Sequence, residues 1–317
     1  MIKDIARLET LLQSESLNDL NILPLDVPHN GTNSGEQAFA IEVDTHSALA
    51  MWSQLRKLVP KTGMWPVLYA FWGNPQNSWE EYVNNDNMFM RRPFEWESQE
   101  ESRNLSPQAI VARAEITSFE GLLEKHADMY SENLQEDFGY SLLKTKERFG
   151  ISPAADEVEH LIKCKKIKNY IEFEKWLLDW ELQHIPREQS LPPASTRYID
   201  WHIPQNVSQA LILLPTVNCW EVLAYIHWYG AETCGSETAI AMLRWWNEKY
   251  GAELVAHYGT MLNIQVANRP ATIDEAFRLA WEQEALAPCT TALPGESLRD
   301  HARALLKVHR WFLHERP

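Results

Sequence analysis

The sequence predicts an α+β fold, with an antiparallel or mixed sheet and helices packed on one face. Short apolar runs alternate as strands do, longer stretches carry helical spacing, and two strands repeatedly precede a helix. Of the 317 residues, 45% are hydrophobic and 23% are charged, which is ordinary for a globular chain. This length allows one large domain or two smaller ones.

The first part of the chain predicts a helix, two strands, a second helix and a third strand. In chain order these elements cover residues 5–12, 20–27, 38–43, 48–58 and 65–72. Apolar residues recur every three or four positions in the helices, and a turn cluster containing Gly31 and Gly35 separates the first two strands.

The middle of the chain predicts two helices, over residues 118–136 and 156–184, the second of them long and amphipathic. Pro186 to Pro193 would end the second helix and form a linker. We therefore expect two domains: an N-terminal α+β region with an acidic helical insert over 1–190, and a Trp-rich α+β domain over 191–317.

The last third predicts strands and helices in the order β-β-α-β-β-α-α. The predicted elements are residues 210–214, 222–228, 236–250, 254–257, 262–266, 273–286 and 298–312. Ala48-Leu49-Ala50-Met51 and Ala239-Ile240-Ala241-Met242 occupy similar positions in two predicted helices. Two related α+β halves would explain this echo, although four apolar helical residues also recur easily by chance.

Charge restricts the classes of partner. Asp and Glu number 44 and Lys and Arg number 29, which gives a formal net charge of −15. Phosphate backbones and anionic lipids repel such a chain, so we expect no nucleic-acid and no membrane partner. The N-terminal residues carry early charges and no apolar run typical of a signal peptide, which predicts a cytoplasmic protein.

The acidity is concentrated between residues 79 and 139, where fourteen acids face five bases and aromatic residues are interleaved. A solvated surface is one interpretation of such a segment. The other is an acidic face with aromatic anchors that binds a basic protein. The predicted partner-binding residues are Trp79, Glu80, Glu81, Phe94, Glu95, Trp96, Glu97, Glu100 and Glu101.

Motifs for nucleotide binding, serine hydrolysis and standard zinc sites do not occur in the sequence, and we predict no catalytic residues, no cofactor and no metal. His301 and His309 would share a helix face, although a metal would need a further ligand. A candidate pocket combines Trp228, Trp245, Trp281 and Glu282, while packing in the core is the alternative role for these tryptophans.

Three motifs follow one another in the last third of the chain: Trp220-Glu221-Val222-Leu223-Ala224, Leu243-Arg244-Trp245-Trp246 and Tyr250-Gly251-Ala252-Glu253-Leu254-Val255. They resemble the C-terminal core of a bacterial family, domain of unknown function 4253, most strongly over residues 205–312. The family's last motif has Glu-His followed by Cys-Pro-Asp, whereas this chain has Glu282-Gln283 and Ala287-Pro288-Cys289. The resemblance implies no particular activity, and this departure disfavours an enzyme.

Charge, the acidic aromatic segment and the resemblance together favour an immunity-type binding protein that neutralises a bacterial toxin by direct contact. The expected partner is a basic protein, the cognate toxin. Two alternatives stay open: a hydrolase-like enzyme with a Trp-lined pocket, and a regulatory scaffold protein.

Overall fold

The computed structural model describes residues 1–29, 32–71, 78–85, 105–129, 134–186, 196–205 and 207–316. The helices are α1 (Ile5–Ser14), α2 (Ala48–Thr62), α3 (Trp79–Asn85), α4 (Pro107–Ile116), α5 (Glu120–Met129), α6 (Leu134–Phe149), α7 (Ala155–Lys163), α8 (Tyr170–His184), α9 (Val222–Tyr225), α10 (Ser236–Tyr250), α11 (Ile273–Leu286), α12 (Cys289–Ala292) and α13 (Leu298–Leu305). The strands are β1 (Ile22–His29), β2 (Thr32–Val43), β3 (Trp65–Phe71), β4 (Ser208–Leu214), β5 (Glu253–His257), β6 (Met261–Gln265) and β7 (Arg310–His314).

All seven strands form one open sheet in the order β1-β2-β4-β3-β5-β6-β7. Every neighbouring pair is antiparallel except β3 and β5, which run parallel. The central strand β3 is buried along its whole length, and a continuous apolar run is what such a strand requires. The α+β class with a mixed sheet and helices packed against it is therefore confirmed.

The chain divides into two units that each draw on separated segments. The first contains residues 1–118, 200–268 and 310–317, and the second contains residues 119–199 and 269–309. A division near residue 190 would separate β1 to β3 from β4 to β7, although hydrogen bonds join all seven in one sheet. The units in the structure therefore differ from the predicted ranges 1–190 and 191–317.

The first unit is built around the sheet. Helix α2 places Trp52 and Leu55 on its buried face, and the Trp52 indole donates to the Pro66 carbonyl of β3 at 3.0 Å. Gly63 ends this helix with φ of 70°, a left-handed conformation that glycine adopts without a steric penalty. On the edge strand β7, the ring of Trp311 packs edge-to-face on that of Trp246, with 6.0 Å between the ring centres.

The tryptophans of the last third of the chain differ in burial. Trp228 and Trp246 are fully buried in the first unit, whereas Trp220 and Trp281 are only half-buried. The Trp228 ring lies so close to Gly230 that an added Cβ would come within 2.3 Å of it. Glycine is therefore required at position 230 for this tryptophan to be buried.

The second unit consists of helices α5 to α8 and α11 to α13. Its apolar core joins α6, α7 and α8 through large side chains. The buried members of this cluster are Leu134, Phe138, Leu142, Val158, Ile167, Phe173 and Leu177. No helix in the described ranges combines the length and the apolar composition that a membrane span needs.

Two predicted long helices are wrong, because each is two helices. The predicted helix over 156–184 breaks after Lys163, where Cys164 ends α7 and Lys165 takes φ of 58°. Asn169 then starts α8, since its side chain accepts a hydrogen bond from the Glu172 amide. The predicted helix over 118–136 is α5 followed by the start of α6.

Two short apolar runs are also assigned wrongly by the sequence. Residues 222–228 were expected as a strand but begin with the buried helix α9, a choice that periodicity cannot make for so short a run. The predicted helix over 298–312 ends at Leu305, and residues 310–314 form β7 because Trp311 and Leu313 alternate into the core beside β6.

Candidate functional site

The described part of the acidic segment begins at α3 in the first unit. Ser78 and Glu81 form a capping box, because the Ser78 amide donates to Glu81 Oε2 at 2.7 Å and the Glu81 amide donates to Ser78 Oγ at 3.3 Å. Trp79, predicted as a partner anchor, is instead buried and packs edge-to-face on Phe71 at 5.5 Å. Glu80 and Glu81 remain on the exposed side.

Several other predicted partner-binding residues lie outside the described residues: Phe94, Glu95, Trp96, Glu97, Glu100 and Glu101. Beyond them the acidic segment continues through α4 and α5, where its carboxylates are exposed. These exposed acids are Glu115, Glu120, Glu124 and Asp128. The described acids of the segment therefore lie at the surface, while its one described tryptophan belongs to the core.

The four residues of the candidate pocket are divided between the units. Trp228 and Trp245 belong to the first unit, and Trp281 and Glu282 belong to the second. Trp228 is fully buried, whereas Trp245 is 38% exposed with the Lys249 ammonium 5.5 Å from its ring. Adjacent residues of one helix thus differ, because the Trp246 side of α10 faces the core and the Trp245 side faces solvent.

Trp281 does line a cavity, of about 540 Å³, with residues of the second unit alone. Its apolar wall includes Trp176 of α8 and Phe277 of α11. Glu282 is not part of the lining, and its carboxylate accepts a hydrogen bond from Arg278 at 2.9 Å. Trp281 therefore lines this cavity, whereas Glu282, the acid predicted to share its pocket, does not.

Elsewhere in the second unit, charged side chains are buried between α8 and α13. Arg299 is 4% exposed and donates to Glu174, whose second oxygen accepts from the Arg299 amide at 3.3 Å. Burial raises the pKa of Glu174, an effect that Arg299 opposes. Burial alone would lower the pKa of Arg299, but Glu174, Glu181 and Asp300 outweigh it and the pKa is raised. The guanidinium is therefore held in its charged form.

The same network continues along α13 to helix α6. Arg303 is 1% exposed and donates to Glu181 at 2.5 Å and to Asp300 at 3.2 Å. Asp300 also accepts from Arg148 of α6 at 2.5 Å. Burial would raise the pKa of Asp300, but the guanidinium groups of Arg148, Arg303 and Arg299 lower it below its usual range. Three helices of the unit are thus joined by ion pairs.

Two cavities lie beside this network, with volumes of about 630 and 330 Å³. They share the lining residues Tyr140, Ser141, Tyr170 and Glu296, and we call them together the tyrosine cleft. The larger is also lined by paired charged residues of α6, α8 and α13. The smaller is lined by Glu284.

Glu284 is a buried carboxylate, 8% exposed, on α11. Its Oε2 accepts from the Thr291 hydroxyl at 2.9 Å, and its Oε1 lies 3.9 Å from His126 Nε2. Burial lowers the pKa of His126 to about 4, so the imidazole is neutral at neutral pH and supplies no counter-charge. Burial, together with Glu174, raises the pKa of Glu284 to about 7.

Neither this network nor the cleft is predicted by a motif in the sequence. A signal was present: Glu174 and Glu181 lie seven residues apart, on the same face of α8 as the core residue Leu177. Arg299 and Arg303 lie four apart on α13, a spacing that also places them on one face. Acids on an apolar face require buried cations, and two arginines at helical spacing are suitable partners.

Within the described ranges, no three His, Cys, Asp or Glu side chains converge as a metal site would require. His301 is fully buried, and its ring contacts the Tyr198 hydroxyl at 2.8 Å and Gln283 Oε1 at 3.0 Å. His309 follows the end of α13 and is exposed. The two histidines therefore do not share a helix face.

Comparison with known proteins gives one match, to a family model. Searches of curated proteins and of solved structures found no match to the chain. The matched stretch begins in β4 and ends in β7, so it includes segments of both units. The resemblance seen in the sequence is confirmed: residues 210–314 match the model of a domain of unknown function (DUF4253).

Proposed function

We propose that this protein is an immunity-type binding protein that neutralises a basic bacterial toxin by direct contact in the cytoplasm. The observation that carries the proposal is the excess of acidic side chains, 44 against 29 basic ones, concentrated in residues 79–139. Opposite charge on a partner raises the association rate well above the neutral value of about 10⁵–10⁶ M⁻¹s⁻¹.

The exposure of the described acids supports this role. Glu80 and Glu115 are exposed on α3 and α4, where they contribute to the field that a basic partner meets during encounter. Trp79 anchors α3 by packing on Phe71, so it helps to fix the position of Glu80 on the same helix. Phe94 and Trp96 are the anchors that the proposal assigns to the interface itself.

A genetic experiment tests the proposal. Each reading frame adjacent to this gene is expressed alone and then together with this chain in a host that lacks both. The proposal expects one neighbour to be toxic alone and tolerated in the presence of this chain, with the two proteins purifying as a complex. If no neighbour is toxic, or if toxicity persists when this chain is present, the proposed function is wrong.

Once the partner is identified, charge reversal tests whether the acidic segment accelerates association with it. The double variant E80K/E115K changes two exposed acids inside it, and E9K/E248K makes the same change of net charge at exposed acids elsewhere in the first unit. Surface plasmon resonance at low and high salt should give an association rate at least about 5-fold lower for the first variant at low salt only. Equal effects of both variants would assign the steering to net charge alone.

A second candidate function is favoured by the cavity beside Trp281. A pocket of about 540 Å³ with Trp176 and Phe277 in its wall has the size and aromatic lining of a small-molecule site. This favours the alternative of a hydrolase-like enzyme with a Trp-lined pocket. Because Arg278 engages Glu282, any acid or base for a hydrolase-like reaction would come from other residues. A ligand that stabilises the protein but not its W281A variant would support it.

A further inference from the structure

The tyrosine cleft has the dimensions of a ligand site. Pockets that bind small molecules or single side chains enclose about 300–1,000 Å³. The two adjoining cavities, of about 630 and 330 Å³, fall within this range. Their shared wall contributes two aromatic rings, a hydroxyl and a carboxylate, so the cleft combines apolar surface with hydrogen-bonding groups.

Charges around the cleft do not cancel. Most of its charged side chains belong to ion pairs within the second unit. These pairs are Lys144 with Glu147, Arg148 with Asp300, Arg299 with Glu174, and Arg303 with Glu181. Two lining carboxylates, Glu284 and Glu296, make no ion pair with a lysine or arginine of the described residues. A cation in the cleft would therefore face two carboxylates that form no ion pair with a lysine or arginine of the described residues.

Glu284 is the deeper of the two acids. Its Oε2 accepts a hydrogen bond from Thr291, and its Oε1 lies 3.9 Å from the neutral imidazole of His126. Ionising a buried carboxylate without a neighbouring cation costs free energy, which a cationic ligand would offset. Glu296 is half-buried, and burial together with Asp300 raises its pKa against the opposing effect of Arg148, so a further cation beside it would likewise be stabilised.

The tyrosine rings favour a cation over a neutral group. The Lys144 ammonium already lies 5.4 Å from the centre of the Tyr140 ring, so this ring attracts positive charge at the rim of the cleft. A guanidinium is planar, stacks on aromatic rings, and directs several N–H donors towards carboxylates. We propose that the tyrosine cleft binds a guanidinium group between Glu284, Glu296 and the ring of Tyr170.

This site is independent of the acidic segment, since its residues belong to the second unit and lie beyond residue 139. A guanidinium can come from a free small molecule or from an arginine side chain of a protein segment. The chemistry recognised by the cleft is the same in both cases, and two probes distinguish the sources.

Isothermal titration calorimetry with the full chain provides the test. The first probe is methylguanidine, a small molecule whose only charged group is a guanidinium, and the second is an acetylated, amidated Gly-Ser peptide with one central arginine. A peptide in which citrulline replaces that arginine is the neutral isostere. We expect the arginine peptide or methylguanidine to bind and the citrulline peptide to bind at least 10-fold more weakly. The tighter probe identifies the source.

Substitutions then locate the bound group. E296Q and E284Q should each weaken binding by about 10-fold, because each replaces a carboxylate that would pair with the guanidinium by a neutral amide. E159Q makes the same change of net charge on the exposed face of α7, away from the cleft, and should leave the affinity within about 2-fold. Circular dichroism confirms that each variant is folded. Glu296 is half-exposed, so E296Q decides the question if E284Q does not fold.

Three outcomes would overturn the inference. The first is that neither probe binds at 10 mM. The second is that the citrulline peptide binds as tightly as the arginine peptide, and the third is that E296Q retains the affinity of the wild-type chain. None of these outcomes bears on the proposed toxin neutralisation, which the co-expression experiment decides separately.

Discussion

The Tyr198 hydroxyl donates to Nδ1 of His301 across 2.8 Å. On the other side of the imidazole, Nε2 donates to Gln283 Oε1 at 3.0 Å. Both ring nitrogens are thus occupied in the neutral state, and burial lowers the pKa of His301 to about 3. A proton on Nδ1 would abolish the bond that Tyr198 donates, so the folded protein opposes protonation here.

His301→Gln should therefore flatten the dependence of stability on pH. Between about pH 3 and 6.5 the unfolded chain binds a proton at position 301 that the folded chain does not, so stability rises with pH in this window. The substitution removes that difference, a slope of about 1.4 kcal/mol per pH unit near pH 5. Urea unfolding at pH 5, 6 and 7 measures it. The exposed His160→Gln should leave the slope unchanged.

Glu284→Gln should change the dependence of stability on pH in the opposite direction. The pKa of Glu284 is raised to about 7 in the folded chain, so the folded chain holds the proton more tightly and stability falls as pH rises from about 4.5 to 7. We expect the stability of the Gln variant relative to wild type to improve by at least about 1 kcal/mol between pH 5 and 8. A relative stability that is constant across this range would show that Glu284 ionises normally.

The Arg299–Glu174 pair should display strong coupling. Arg299→Met leaves Glu174 buried without this partner, at a cost of about 3–5 kcal/mol, and Glu174→Met has the matching effect on Arg299. The double variant should cost less than the sum of the two single variants by more than about 1 kcal/mol. Denaturant unfolding measures all four proteins. Lys163→Met at the exposed pair with Glu159 should cost less than about 1 kcal/mol.

Adjacent tryptophans of α10 give a matched test of the core. Trp246 is fully buried against Trp311, so Trp246→Ala should cost about 3–5 kcal/mol. Trp245 is 38% exposed, so Trp245→Ala should cost less than about 1 kcal/mol. Thermal unfolding compares the two variants. An unchanged midpoint for Trp246→Ala would contradict the assignment of this residue to the core.

Much of the sheet can be predicted from the sequence, because its strands carry local signals. Alternating runs predict β1 and β2, which include Asp26 and end at Val43 respectively. Strand β4 is an almost unbroken apolar run, and its burial on both faces explains that pattern. The positions of helix ends were less predictable, since Lys165 adopts a left-handed conformation that glycine or asparagine usually marks. Short apolar runs such as 222–225 carry no periodicity that separates helix from strand.

The site was predicted less well than the fold, for a different reason. Trp79 and Trp228 are aromatic residues beside acids or in a Trp-rich stretch, and composition cannot distinguish a core tryptophan from an anchor. The cleft depends on residues from 140 to 300, which only the tertiary structure brings together. Glu284 has no distinctive motif, and its properties come from burial and from the absence of a cation among its described neighbours.

The position of β7 in the chain affects the order of assembly. This strand pairs with β6 through Leu262 and Leu313 and brings the buried Trp311 to the first unit, yet it follows the whole second unit in the sequence. During synthesis the sheet of the first unit therefore stays incomplete until about fifty further residues have followed β6. Until then Trp246 lacks Trp311, its aromatic neighbour. Pairing over so many residues closes a long loop late, which slows folding and extends the time during which a chaperone can bind the unfinished sheet edge.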